Sequence, residues 1–430
     1  VCTWAASRGD LKMLKWAREN GSPWYNSTFS KGAASGNLAL LKWAKENGCP
    51  SNSDDWMEMA SAHAAEKGHL EVLKWLREEG CPWSESTCAG AAGGGDLEAL
   101  KWLREAGCPW AVSTCVAAAS GGHLEVLKWL REAGCQWWYS RVFAAAAGIG
   151  HFEMMKWLRE EGCSWDWAAC AAAAFGGHLE VLKWLRREGC LWSSDSFQSA
   201  AKRGDMEILM WLKEEGCPWD EAVCAAAAEE GNFEVLKWLR ANGCPWNGDA
   251  CDNAAYKNHF ELLTWMHENG CPWGGWVPSA AISQGNFEML KWAKEVGYPF
   301  DVYATSQAAI VGRLDILQWM KENGCLFGEQ VTQAAAGVNQ REALIWLRDN
   351  GCLWTEATTA GAAGGGHLEL LQWLREEGCP WDWHVLHYAR MASHKPVLKW
   401  AEENGCTMNG FREEEGGYVF HTKPKPLQNS

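Results

Sequence analysis

The sequence predicts an all-α solenoid of about fifteen helix–turn–helix repeats, and three observations carry that prediction. First, a tryptophan in the phrase Leu-Lys-Trp or a close variant recurs from Trp16 to Trp400, and twelve of its fourteen intervals are 27 residues. A fixed period of this length is the signature of a linear array of supersecondary units. Second, a glycine closes the same segment in every copy, from Gly21 to Gly405. Third, the composition is that of one unit copied many times, with 32 Trp, 45 Gly and 19 Cys but only 7 Tyr in 430 residues.

Each element of the unit follows from its residues. In the copy from Gly68 to Trp83, Leu70, Leu73 and Leu76 fall at helical spacing beside Val72 and Trp75, giving one broad apolar face. His69, replaced by Asp or Asn elsewhere, stands where an N-cap is expected, and Glu71 suits the positive end of the helix dipole. Gly80 ends this second helix, helix B, as a C′ residue at positive φ, and Pro82 prevents its resumption. Before it lies a shorter, alanine-rich helix A, built on pairs such as Ala91-Ala92, Ala118-Ala119 and Ala173-Ala174, whose small side chains permit close helix approach. A Gly or Asn (Gly95, Gly122, Asn258) then makes the tight turn into helix B. Neither helix buries both faces alone, and stacking of units completes the core.

The segment Gly-His-Leu-Glu-Val-Leu-Lys-Trp-Leu-Arg-Glu-Glu-Gly-Cys, Gly68 to Cys81, resembles the second half of an ankyrin repeat, with Trp75 in a leucine's place and Cys81 in an alanine's. The resemblance covers roughly residues 1–408. The first half departs from the pattern: the Thr-Pro-Leu-His entry to helix A is absent, and the unit has 27 residues rather than about 33. The shortfall falls after Trp83, where ankyrins carry a β-hairpin finger, so the fingers are expected to be short or absent. This looks like the short, Trp-rich ankyrin arrays of the algal and protist type. That resemblance implies a scaffold or adaptor that binds partner proteins on its concave side. The alternative is a permanent structural subunit of a large assembly, and a third reading makes the array the targeting arm of an enzyme whose catalytic domain precedes Val1.

Composition narrows the chemistry. A net charge of −15 argues against the counterion release on which nucleic-acid binding relies, so no nucleic-acid partner is expected. No apolar run is long enough to span a bilayer. Thirteen cysteines follow the stop glycine, Cys49 to Cys406, and Cys2, Cys88, Cys115, Cys170, Cys224 and Cys251 begin helix A. Equivalent positions in adjacent repeats lie about 10 Å apart, too far for a disulfide ladder. An intracellular, reducing compartment is therefore expected. Cys81 and Cys88, seven residues apart, are close enough in sequence to meet. No C-x2-C pair starts a zinc site, and neither cofactor nor metal is expected. The periodic histidines His69, His123, His151, His178 and His367 read as helix starts. No nucleophile elbow, P-loop or dinucleotide fingerprint occurs, and every candidate nucleophile or base is repeated many times. Catalysis needs one converging site, so no enzyme is expected. The fifteen periodic tryptophans read as an inter-repeat core ladder, and the second series (Trp83, Trp110, Trp219) as half-exposed covers of the helix ends.

The address of a partner should lie where copies differ. Varying positions follow the second tryptophan and precede the Gly turn. They supply Trp138, Tyr139, Trp167, Phe175, Lys202, Glu229, Tyr256, Trp276 and Trp383 as candidate contacts, with Trp138, Tyr139, Trp167 and Phe175 in successive repeats as one patch. The 32-residue interval inserts Ser51 to Asp55, read as a surviving finger-like loop. Residues 409–430 leave the periodicity and are expected to form a cap and a mobile tail. The N-terminus starts inside a repeat without a cap, as a truncated chain would.

Overall fold

The computed structural model describes residues 1–25, 27–50, 54–135, 140–407, 411–414 and 417–420, the last two segments by backbone alone and residues 54–56 without their side chains. It divides into two compact units, Val1–Pro245 and Trp246–Ser430. Among the described residues there are thirty helices, which alternate as A and B helices of fifteen repeats, nine in the first unit and six in the second. The only strands among the described residues are Phe411–Glu414 and Gly417–Phe420, an antiparallel hairpin pairing Phe411 with Phe420. It lies in the segment expected to be cap and tail. No strand interrupts the loops between repeats, so the ankyrin-type fingers are absent from them among these residues.

Every B helix has nine residues, for example Leu97–Glu105. Asp96 caps that helix by accepting the Ala99 N–H at 2.9 Å. Its far end closes with Gly107 at φ +82°, Gly107 N–H on the Arg104 carbonyl, and Cys108 N–H on the Leu103 carbonyl at 2.9 Å, the pattern of a Schellman stop. The same positive φ recurs at all fifteen stop glycines. The A helices run eight to ten residues, apart from Cys2–Ser7 and Asp54–Glu66. Of the inserted residues before Trp56, Asp54 and Asp55 open a thirteen-residue A helix, and Ser51 to Ser53, the rest of the expected finger-like loop, lie outside the described residues.

Packing is tightest between neighbouring A helices, because their contact face is alanine and glycine. A Cβ on Gly94 would stand 2.1 Å from the Glu66 carbonyl oxygen of the preceding A helix. The core is made of B-helix Leu and Val with A-helix Ala, Cys and Thr, as at Leu100, Leu103, Cys88, Ala91 and Ala92, all fully buried.

The tryptophans are not the core. Trp75 is buried, Trp16 is 56% exposed, and the rest of the B-helix series is half-buried. They do link repeats: twelve of them are seen to meet the aromatic of the preceding loop, edge-on or tilted, as in Trp83–Trp102 at 5.5 Å, Trp192–Trp211 at 5.7 Å and Trp354–Trp373 at 5.2 Å. A guanidinium covers the loop ring, as Arg186 does Trp192 at 3.8 Å and Arg104 does Trp110 at 4.1 Å. An indole is too large for the Ala-lined interior, so it fills the wider gap on the B side and is capped by arginine instead.

The periodic histidines also do something other than cap. His123 Nε2 donates to the Gly93 carbonyl of the preceding A helix at 3.1 Å, and His69, His367 and His394 reach Ala34, Gly337 and Gly364 in the same way. All five stand at helix starts as expected, and of them only His151 is seen to cap with its side chain, accepting the Met154 N–H at 3.2 Å. Asn232 and Gln340 replace the imidazole at this bolt, bonding Ala201 and Ile310. The donor satisfies a carbonyl left over at the end of the neighbouring helix.

Candidate functional site

In nine repeats the cysteine after the stop glycine is seen to have a shared task. Its thiol points at the carbonyl of the residue 24 positions earlier, at the mouth of its own helix A: Cys190 to Asp166 at 3.3 Å, Cys244 to Asp220 at 3.5 Å, Cys406 to Asp382 at 3.2 Å. Two repeats lack this cysteine, and in the first of them Ser22 replaces it. Tyr298 stands in the cysteine's place, 3% exposed, and its hydroxyl donates to the Gly274 carbonyl at 2.5 Å, again 24 residues back. Burial pushes the Tyr298 hydroxyl well above the ordinary phenol range, so it stays a donor.

The same repeat has an unusual entry to helix A. Val277–Gln284 has Pro278 in its first turn and no side-chain cap from Trp276. The preceding A helix, Gly248–Tyr256, supplies the missing acceptor. Asp252 takes the Trp276 N–H at 2.9 Å and the Gly275 N–H at 3.0 Å. A Cβ at Gly274 would meet that carboxylate at 2.2 Å, so glycine is required there. Desolvation raises the Asp252 carboxyl above its usual range, opposed by the two N–H bonds that favour the charged form.

This departure displays Trp276. With Tyr256 and Tyr303 it rims a groove of about 400 Å³ across the A helices Gly248–Tyr256, Val277–Gln284 and Val302–Val311. The three rings are 59%, 62% and 64% exposed in the order Trp276, Tyr256, Tyr303, and Trp276 lies 6.0 Å from Tyr303. Ser279, Ser283, Ser306 and Gln307 put hydroxyl and amide groups among the rings, and none of the lining residues is charged. Gln307 Nε2 donates to Ser283 Oγ at 2.9 Å, and Gln284 Nε2 to the Tyr256 carbonyl at 2.7 Å, so neighbouring A helices are tied through the groove wall.

The structure therefore gathers two of the expected contact residues, Tyr256 and Trp276, at one site. Tyr303 was missed because its exposure depends on the register of helix A, which the repeat comparison did not resolve. Trp167 and Phe175 are exposed, but stand at opposite ends of the helix Trp167–Gly176 in the other unit. Trp138 and Tyr139 lie outside the described residues, so half of the expected four-residue patch does too. Lys202 and Glu229 bond each other at 2.8 Å across adjacent repeats. Trp383 stacks on its neighbour His384 at 3.9 Å.

Both units are helical-repeat solenoids. No protein-family model matches the chain, and no curated protein does. Similar solved structures include the pentatricopeptide repeat protein PPR10 in complex with an 18-nt psaJ RNA element, at 15% identity over 94% of this chain and 71% of that one, TM-score 0.35. PPR10 from maize matches at 14% identity over 95% and 73%, TM-score 0.32. The human ASB11 ankyrin repeat domain matches at 22% identity over 38% of this chain and 84% of that one, TM-score 0.30. The likeness is to a helical-repeat build and goes no further. It corrects one expectation. The acidic balance does not remove nucleic acid from the partner classes, since a structure of this general build holds RNA. Net charge sums over a whole chain, whereas bases stack on aromatic faces locally. Among the described residues no helix is long and apolar enough to cross a membrane.

Proposed function

We propose that the chain is a non-catalytic binding scaffold of ankyrin-like type, which holds an extended, uncharged segment of a partner protein in the groove of Tyr256, Trp276 and Tyr303. One observation carries this reading: the groove lies where the repeat abandons its own rules. Thirteen of the fifteen repeats place a cysteine after the stop glycine, and six A helices are seen to be capped by a side chain; here a tyrosine, a Gly-Gly pair and a borrowed aspartate stand instead and hold an indole out of the stack. Exposed aromatics in a rigid frame are the residues that dominate binding energy. The uncharged wall, with hydroxyl and amide groups between the rings, suits backbone amides and apolar side chains, and it offers no cation to a phosphate.

The test is a selection of random peptides on the intact chain, run beside a random RNA pool, followed by affinity measurement on Trp276→Ala, Tyr303→Ala and, as control, Trp167→Ala. Peptides selected by the parent chain are expected to lose about tenfold or more on each groove variant, the effect of about 1.4 kcal/mol, and nothing on the control. Peptides held equally by all variants would overturn the reading. So would RNA retained by the parent and released by the groove variants, which would assign the site to single-stranded nucleic acid.

A further inference from the structure

Six A-helix cysteines sit at one register position, and five of them are followed twenty residues later by the stop-glycine cysteine of the same repeat: Cys88 and Cys108, Cys115 and Cys135, Cys170 and Cys190, Cys224 and Cys244, Cys251 and Cys271. The fold brings the two positions together. Cys115 Sγ lies 3.4 Å from Cys135 Sγ, in contact, with both residues buried. Other repeats fill the A-helix position differently. Ser61 faces Cys81 at 3.1 Å, so Cys81 meets a hydroxyl rather than Cys88, while Phe143 and Phe197 occupy the position paired with Cys163 and Cys217. The dithiol is thus a feature of particular repeats and not of the scaffold.

From this juxtaposition we infer that the paired cysteines are peroxide-oxidisable dithiols that form a disulfide within each repeat. Closing the contact from 3.4 Å to the bond length of about 2.05 Å needs only a small shift of two side chains. A metal held by two thiolates would bury net negative charge in an apolar pocket, whereas a disulfide is neutral. The hydrogen bond from Cys115 also holds the Cys135 thiol below the usual thiol range, and Cys88 and Cys170 do the same for Cys108 and Cys190. The stop-glycine sulfur is therefore the nucleophile. Its thiolate attacks hydrogen peroxide: an S–O bond forms, the O–O bond breaks, and the departing hydroxide takes a proton to become water. The A-helix thiol then loses its proton and attacks that sulfur. The S–S bond forms, the S–O bond breaks, and a second water leaves. Two thiols lose two electrons and two protons, and the peroxide is reduced to two waters. The product ties the first turn of helix A to the loop behind helix B.

The molecule contains its own controls. The intact chain is treated with graded hydrogen peroxide, remaining thiols are alkylated under denaturing conditions, and digested peptides are mapped by mass spectrometry. The expected result is linked peptides two hydrogens lighter for Cys115–Cys135 and its equivalents, at doses where Cys163 and Cys217 are still alkylated. In Cys115→Ser, which copies the natural Ser61 repeat, Cys135 should instead be trapped as a sulfenic acid by dimedone. Oxidation of Cys163 and Cys217 at equal dose, links between different repeats, or no linked peptide at any dose would each overturn the inference.

Discussion

In most repeats both turns use glycine at positive φ, but the structure makes the two unequal. Gly95 has φ +77°, and an added Cβ would stand 2.5 Å from Cε1 and Nδ1 of His123 in the next repeat. Gly107 has φ +82° and nothing within 4 Å of an added Cβ. Holding an L-residue in the left-handed region costs about 1–2 kcal/mol, and Gly107→Ala should cost no more than that. Gly95→Ala adds a clash that moves the imidazole off the Gly93 carbonyl, now bonded at 3.1 Å. Losing that bond costs about 1 kcal/mol, and more if the carbonyl stays dry. The total for Gly95→Ala is then about 2–4 kcal/mol. An array does not unfold as one two-state body, so the assay is native-state amide exchange read in the helices Leu97–Glu105 and Leu124–Glu132, where local opening energies are resolved. Repeating Gly95→Ala in a His123→Ala background closes a double-mutant cycle, and its cost should fall to that of Gly107→Ala. Equal costs for the two glycines in the parent chain, or an unchanged cost in the His123→Ala background, would refute the bolt.

Three further outcomes follow from the same geometry. Tyr298→Phe keeps the ring and deletes the bond to Gly274, so it should cost about 1–2 kcal/mol in urea unfolding and weaken peptide binding at the groove; unchanged binding would separate Tyr298 from the display of Trp276. Trp102→Ala removes a half-buried ring packed on Trp83 and should cost about 2–3 kcal/mol, against under about 1 kcal/mol for the exposed Trp16→Ala; thermal unfolding compares them, and similar shifts would remove the inter-repeat role of the indoles. Burial raises the folded-state value of Asp252. Its stabilising contribution is therefore complete below the ordinary carboxylate value and lost as pH rises through the higher folded value. The advantage of the parent chain over Asp252→Asn should shrink across that window, measured as urea midpoints at stepped pH; a constant difference would show that Asp252 does not titrate above its usual range.

The division between what was legible in the chain and what was not follows the reach of each interaction. Helix B could be read residue by residue, because its apolar stripe, the cap at Asp96 and the stop at Gly107 act within a few positions of one another. The alanine pairs of helix A announced close packing for the same reason. Side chains that act one repeat away were read only in part: histidines read as helix starts also bolt the neighbouring helix, and tryptophans expected in the core brace its outer side. Of the candidate contacts, Tyr256 and Trp276 came together only because Asp252 and Tyr298 reshape one loop, whereas Lys202 and Glu229 satisfied each other.

The sequence by itself determined the period, the helices and their ends, since those rest on local backbone preference and on apolar spacing within one unit. The tertiary structure alone decided which carbonyl each histidine and thiol would meet, which cysteines would touch, and where an aromatic would be left facing solvent. Those outcomes depend on how one unit is set against the next, a relation that no single repeat contains.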